Sequence, residues 1–236
     1  MAMPFEFKQF SLHQSESAFK LGTDSVVLGS WLPVINFQRV LDIGAGTGIL
    51  ALMMAQKLKE PNIVAVEMDE GSAADCSKNF ERSKWNNCLS VANANILDWS
   101  ANNRVEKFDL VICNPPYFVD SLKNPDSRKS AARHTDSLGL KNLTELALLH
   151  LNQKGSFAFI LPVFQFNQLE KLLLDRNLYP QNICSVSSYQ NTLPIRKMGL
   201  FSFNKGTIVE ENEFLYNEDK TRSNWYKSIS ADFYIK

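Results

Sequence analysis

Val40-Leu41-Asp42-Ile43-Gly44-Ala45-Gly46-Thr47-Gly48 reads as an apolar strand that runs straight into three alternating glycines. Glycines at such positions permit a tight turn and let the backbone approach a ligand closely. The periodicity from Gly48 to Leu58 is that of a helix, so strand, glycine turn and helix form one β-α unit. The spacing is G-x-G-x-G. Ile49 stands where a dinucleotide-binding G-x-G-x-x-G places its third glycine, which demotes hydride-transfer chemistry.

Outward from this stretch the alternation repeats. Strands are expected at Arg39 to Ile43, Ile63 to Glu67, Leu89 to Ala92, Phe108 to Cys113 and Ser156 to Leu161. Helices are expected at Glu70 to Arg82, Ile96 to Asn102, Leu138 to Asn152 and Phe164 to Arg176. Repeated β-α units predict an α/β fold with a mostly parallel sheet and helices on both faces. After Tyr179, Ile183 to Tyr189 and Met198 to Phe203 resemble two strands joined by a link containing Pro194, a C-terminal β-hairpin. Residues 205–236 are more polar and are expected to add a last helix or strand of no evident role. Between Tyr117 and Ser137 apolar periodicity is lost for twenty-one residues, and long loops inside compact domains are often functional.

The chain has 236 residues, enough for one large domain with a sizeable core. Apolar residues are 44% and charged residues 21%, a globular balance that excludes collagen, disordered-tail and coiled-coil classes. Lys plus Arg equals Asp plus Glu at 25 each, so any nucleic-acid partner must be held by a local patch and not by a global field. No window of about 18 uncharged apolar residues exists, and Glu6 and Lys8 stand where a signal peptide carries its apolar segment, so a cytoplasmic protein without a membrane partner is expected. Cys76, Cys88, Cys113 and Cys184 lack C-x-x-C spacing and read as reduced packing residues. His13, His134 and His150 show no ligand spacing, so no metal site is expected.

Two acids flank the glycine turn in the chemistry it suggests: Asp42 before it, and Glu67 at the end of Val64-Ala65-Val66-Glu67. A carboxylate ending that second strand can accept hydrogen bonds from both ribose hydroxyls of an adenosine. For Asp42 alone, a loop-ordering or helix-capping acid is the alternative. Together, glycines, strand context and acids resemble the S-adenosylmethionine-dependent methyltransferase superfamily. The resemblance implies a Rossmann-like class I fold with a seven-stranded sheet, S-adenosylmethionine as cofactor with S-adenosylhomocysteine as product, and contacts from Asp42, Gly44, Gly46, Gly48 and Glu67. A further adenine contact in that superfamily comes from an Asp after the third strand. Asn95 stands there, and its amide oxygen accepts a hydrogen bond without the charge that would strengthen it.

The strand Phe108 to Cys113 leads directly into Asn114-Pro115-Pro116-Tyr117 at the carboxyl edge, where open α/β sheets bind ligands. A planar amine conjugated to a ring is a poor nucleophile because its lone pair is delocalised. The Asn114 oxygen and the Pro115 carbonyl are placed to accept its two hydrogens, which favours rehybridisation and leaves the lone pair facing the methyl. The two prolines stiffen that backbone, and Tyr117 is placed to stack on a flipped-out base.

N-P-P-Y occurs in methylases of adenine N6, of guanine N2 in RNA and of protein glutamine amides. Phe7-Lys8-Gln9-Phe10 and Phe19-Lys20-Leu21-Gly22-Thr23-Asp24-Ser25-Val26-Val27-Leu28-Gly29-Ser30-Trp31 resemble the opening of the bacterial tRNA(Val) adenine-37 N6-methyltransferases. The resemblance implies a single domain: a capping segment 1–38 over cofactor and substrate, a core 39–204 and an extension 205–236. It also brings Thr23 and Asp24 to the methionine end of the cofactor, although either reads equally as a helix cap. Glutamine methylases carry an added N-terminal helical domain, for which the 38 residues before the first strand are too few. Lys123, Arg128, Lys129 and Arg133 face only Asp126 in their stretch, a basic cluster suited to tRNA phosphates. Lys8, Lys20, Arg196 and Lys197 would extend it if the fold brings them near. The expected activity is therefore N6 methylation of a tRNA adenine, with RNA guanine-N2 or protein glutamine-N5 methylation, or a non-catalytic cofactor-binding RNA-binding protein, as alternatives. No obligatory protein partner is evident.

Overall fold

The computed structural model describes residues 3–33, 37–115 and 139–235. A short ribbon, β1 (Phe5–Glu6) and β2 (Ser11–Leu12), precedes helix α1 (Thr23–Trp31). The core then alternates: β3 (Arg39–Ile43), α2 (Ile49–Lys57), β4 (Asn62–Glu67), α3 (Glu70–Arg82), β5 (Leu89–Asn93), α4 (Ile96–Asn102) and β6 (Phe108–Cys113). After residue 139 follow α5 (Leu140–His150), β7 (Leu151–Leu161), α6 (Val163–Leu174), β8 (Tyr179–Tyr189), β9 (Pro194–Ser202), β10 (Val209–Tyr216) and α7 (Asn224–Ile229).

Among the described residues the sheet runs β10-β8-β9-β7-β6-β3-β4-β5, and only β9 is antiparallel to its neighbours. Alternation along each strand divides the core into two layers. Val40, Ile63, Leu110, Ile112 and Ala158 face α1, α2 and α3. Leu41, Ile43, Val111, Phe157 and Phe159 face α5 and α6. This is the period-2 burial expected of strands covered on both faces.

Among the described residues the sheet has eight strands where seven were expected. The added one is β10, which pairs in parallel with β8 from Val209↔Asn182 to Tyr216↔Tyr189. Its Glu210, Glu211 and Glu213 hide the strand pattern, and charge on an edge strand blunts unwanted pairing. Strand β7 begins at Leu151 and not at Ser156, with a register irregularity opposite Phe108 and Leu110. The helix before it stops at His150, whose buried ring bonds Ser100 Oγ at 2.8 Å and the Glu106 carbonyl oxygen at 3.0 Å. The four cysteines are free, and Cys76, Cys113 and Cys184 are buried. Among the described residues no helix is long and apolar enough to cross a membrane.

The N-terminal segment is clamped onto α3. Buried Asp75 accepts hydrogen bonds from the backbone N–H groups of Glu16 and Ser17, both at 2.9 Å, and from Ser17 Oγ at 2.7 Å. Asn79 donates through Nδ2 to the carbonyls of His13 (2.9 Å) and Thr47 (3.0 Å), joining this segment to the glycine turn. A Cβ on Gly71 would come within 2.5 Å of the Glu16 carbonyl oxygen, so glycine there permits the close approach. Removing an acceptor that serves several buried donors leaves each unsatisfied. Asp75→Ala should therefore cost about 3 kcal/mol in urea unfolding and open the chain before Ser17 to proteolysis. Unchanged stability would contradict the clamp.

Candidate active site

At the carboxyl end of β3 the chain turns through Gly44 (φ 68°), Gly46 (φ 56°) and Gly48 (φ 81°), a left-handed conformation that other residues adopt only with strain. The N–H groups of Gly44 and Ala45 donate to the Val66 carbonyl at 2.9 and 3.2 Å and staple the turn to β4. At Gly48 a Cβ would also meet Phe80 Cε1 at 2.5 Å, so both backbone and space require glycine.

Glu67 closes β4 beside this turn. Its Oε2 accepts from Gly46 N and its Oε1 from Asp69 N, each at 2.8 Å. With the Met68 N–H also bonding this carboxylate, at least one of its roughly four acceptor sites stays open to a hydroxyl while it holds the turn. Burial raises its pKa above the usual carboxylate range. Asp42 lies deeper and is fully buried. Its Oδ2 accepts from Ala51 N at 3.2 Å, in the first turn of α2, the helix-capping role read from sequence, while Oδ1 has no partner among the described residues. Burial, reinforced by the charge of Glu67, raises its pKa from 3.8 to about 7. Two buried acids and an unpaired oxygen fit a ligand carrying positive charge and vicinal hydroxyls, as S-adenosylmethionine does. Asn95, beyond β5, caps α4: its Oδ1 accepts from Leu97 N at 2.8 Å, so one lone pair of the oxygen expected to meet an adenine serves the helix.

The parallel pairing of β3 and β6 ends at Ile43↔Cys113, which sets Asn114 level with Gly44. The Asn114 Nδ2 donates to Ser25 Oγ at 2.8 Å. Ser25 lies in the first turn of α1 after Thr23 and Asp24. Neither Thr23 nor Asp24 caps that helix, because the cap position falls on Gly22 and carries no side-chain bond. Asp24 instead pairs with Arg196 Nε at 2.9 Å, tying α1 to β9. Pro115 is the last described residue of N-P-P-Y; Tyr117, Lys123, Arg128, Lys129 and Arg133 lie outside the described residues.

Of the four cations named as extensions of the basic cluster, Lys8 donates to the Ala231 carbonyl, where the two termini meet. Lys20 donates to the Gln14 carbonyl. Lys197 sits over the Phe166 ring at 4.8 Å, on the strand beside Arg196. Sequence reasoning assigned no role to Ser25, Asp75 or Asn79. Their contacts span 58 to 89 residues, and nothing local marks them. Among the described residues no group of three His, Cys, Asp or Glu could hold a metal ion.

Because the pKa of Asp42 is higher folded than unfolded, unfolding releases a proton between about pH 4 and 7, and its contribution to stability falls across that window. Asp42→Asn should therefore gain in thermal stability relative to the wild type between pH 5 and pH 8. A difference constant across that range would contradict the assignment.

Residues 12–165 match the family model described as the methyltransferase small domain. The chain is 36% identical over 237 residues to the tRNA1(Val) (adenine(37)-N6)-methyltransferase of Bacteroides thetaiotaomicron, covering 100% of this chain and 99% of that protein. The protein of that name from Tolumonas auensis is 37% identical over 233 residues, with 98% and 97% covered. The fold resembles the solved structure of an Agrobacterium tumefaciens protein described as a predicted O-methyltransferase (TM-score 0.67, 13% identity, 89% of this chain and 96% of that one). With similarity of this degree running from end to end, the chain belongs to the tRNA1(Val) (adenine(37)-N6)-methyltransferase family.

Proposed function

We propose that this enzyme methylates N6 of adenine 37 in tRNA1(Val), using S-adenosylmethionine. The observation that carries the reading is the register that sets Asn114, the first residue of an amine-binding N-P-P-Y, beside the glycine turn at Gly44. Full-length relatives named for that reaction support the substrate.

In this reading Glu67 accepts the ribose hydroxyls, Gly44, Gly46 and Gly48 let the backbone close on the cofactor, and Asp42 contributes negative potential from beneath the turn. Asn95 brings its remaining lone pair and the start of α4 to the adenine ring. Thr23 lies at the methionine end, and Asp24, paired with Arg196, holds α1 in place there. When bound, S-adenosylmethionine would supply a methyl group activated by its sulfonium, with S-adenosylhomocysteine as the product. Asn114 Oδ1 and the Pro115 carbonyl would accept the two N6 hydrogens, which leaves the nitrogen lone pair free to attack the methyl group. Tyr117 stacks on the flipped base. The proton lost from N6 after transfer passes to solvent, since the methylated nitrogen is acidic, and no tuned base is required. Positioning supplies most of the acceleration. Lys123, Arg128, Lys129 and Arg133 hold tRNA phosphates.

An unmodified tRNA1(Val) transcript incubated with methyl-labelled cofactor and digested to nucleosides should yield label in N6-methyladenosine, and a transcript with guanosine at position 37 should take none. Label in N2-methylguanosine or in protein would overturn the substrate. Replacing Lys123, Arg128, Lys129 and Arg133 by Ala should raise the KM for tRNA about tenfold, leave kcat within about twofold and flatten the salt dependence. An unchanged KM and salt slope would move the RNA elsewhere.

A further inference from the structure

An asparagine amide has two ends of nearly equal size, and rotation about its last bond exchanges oxygen for nitrogen at little steric cost. A catalytic asparagine that must accept a hydrogen from an amine works in only one of those orientations. In the other its NH₂ group meets the substrate NH₂ group, donor against donor. The Asn114 side chain is half-buried, and its Nδ2 finds an acceptor in Ser25 Oγ at 2.8 Å. An amide is planar, so with Nδ2 on Ser25 the oxygen diverges to the other side. Among the described residues that oxygen makes no hydrogen bond.

The helix that carries Ser25 is held from several directions. Val26, Val27 and Leu28 are buried in the core. At Gly29 a Cβ would lie 2.7 Å from Met53 Sδ and 3.3 Å from Leu50 Cδ2, so α1 packs closely on α2 and a larger residue there would have to displace the Met53 side chain. Lys57 Nζ, its pKa lowered to about 8 by burial, donates to the carbonyls of Gly29 and Ser30, each at 3.1 Å, and to that of Leu32. Asp24 fixes the other end through Arg196. An acceptor on so constrained a helix is preorganised, and such placement matters most for groups that act by geometry.

We infer that Ser25 is a positioning residue for methyl transfer, anchoring the Asn114 side chain through its amide nitrogen so that its oxygen is presented to the reacting amine. The inference rests on the catalytic reading of Asn114 given above. As the substrate amine gains positive charge, the Asn114 oxygen draws electron density from its own nitrogen and the Nδ2–H becomes a stronger donor. The bond to Ser25 therefore tightens toward the transition state, and its loss should appear in kcat more than in binding.

The test compares Ser25→Ala and Ser25→Thr with the wild type in the full chain, on whichever amine the wild type methylates, alongside calorimetric titration with S-adenosylmethionine. Ser25→Ala should lower kcat about tenfold, the scale of one lost hydrogen bond, with the KM for tRNA and the cofactor Kd within about twofold. Ser25→Thr, which restores the hydroxyl, should recover kcat to within about threefold. An unchanged kcat in Ser25→Ala, a cofactor Kd that weakens in step with kcat, or a Ser25→Thr enzyme as slow as the Ala variant would each overturn the inference. A wild type that methylates no adenine refutes the functional reading instead, and the two failures are thereby told apart.

Discussion

The parallel pairing of β3 with β6 is the constraint on which the site depends. It ends at Ile43↔Cys113, and whatever follows each strand emerges side by side at the carboxyl edge of the sheet. On one side is a turn whose three glycines all take positive φ; on the other is an asparagine followed by proline. A slip of one residue would turn Leu41 and Ile43 from one core layer to the other and carry the turn away from Asn114. The two apolar layers that fix the register therefore also set the distance between the glycine turn and Asn114.

The chain outside the core secures that edge from above. Asp75 and Asn79 fasten the segment before α1 across the glycine turn, and α1 then brings Ser25 to Asn114. The C-terminal stretch, which has no evident role in the sequence, supports the start of the chain. The Phe7 ring stacks on Tyr234 at 5.7 Å, Lys8 N donates to the Phe233 carbonyl at 2.8 Å, and the Arg222 guanidinium lies 3.7 Å over Tyr234. Stacked rings and a cation over an aromatic face each add modest stabilisation, about 0.5–1.5 kcal/mol, and together they keep the two ends in register. Trp31 Nε1 donates to Glu211 at 2.7 Å, so β10 also steadies the end of α1.

What could be read in the sequence was what local physics decides. The alternation of short apolar runs with helical periodicity located the core elements, and Glu70–Arg82, Ile96–Asn102 and Phe108–Cys113 fall where expected. Glycines after a strand, with acids before and beyond them, located the turn. The eighth strand escaped because edge exposure allows an acid-rich sequence, which resembles a loop. Ser25, Asp75 and Asn79 escaped because a lone serine, aspartate or asparagine has no pattern until the fold brings its partner to it. Thr23 and Asp24 resembled helix caps by type, yet the helix begins one residue after Gly22 and Asp24 spends its charge on Arg196. Asn95 was singled out for a ligand, and its side chain also serves the helix that it begins.

Cofactor capture and methyl transfer are thus assigned to neighbouring but separate parts of one edge: the turn with its two acids, and Asn114. The most direct test is Asn114→Ala, measured for S-adenosylmethionine affinity by calorimetry and for turnover on unmodified tRNA. The account predicts a Kd within about twofold of the wild type and a loss of turnover of about 100-fold or more, the scale seen when a group stabilising the transition state is removed. Turnover retained, or affinity lost together with it, would contradict that division of labour.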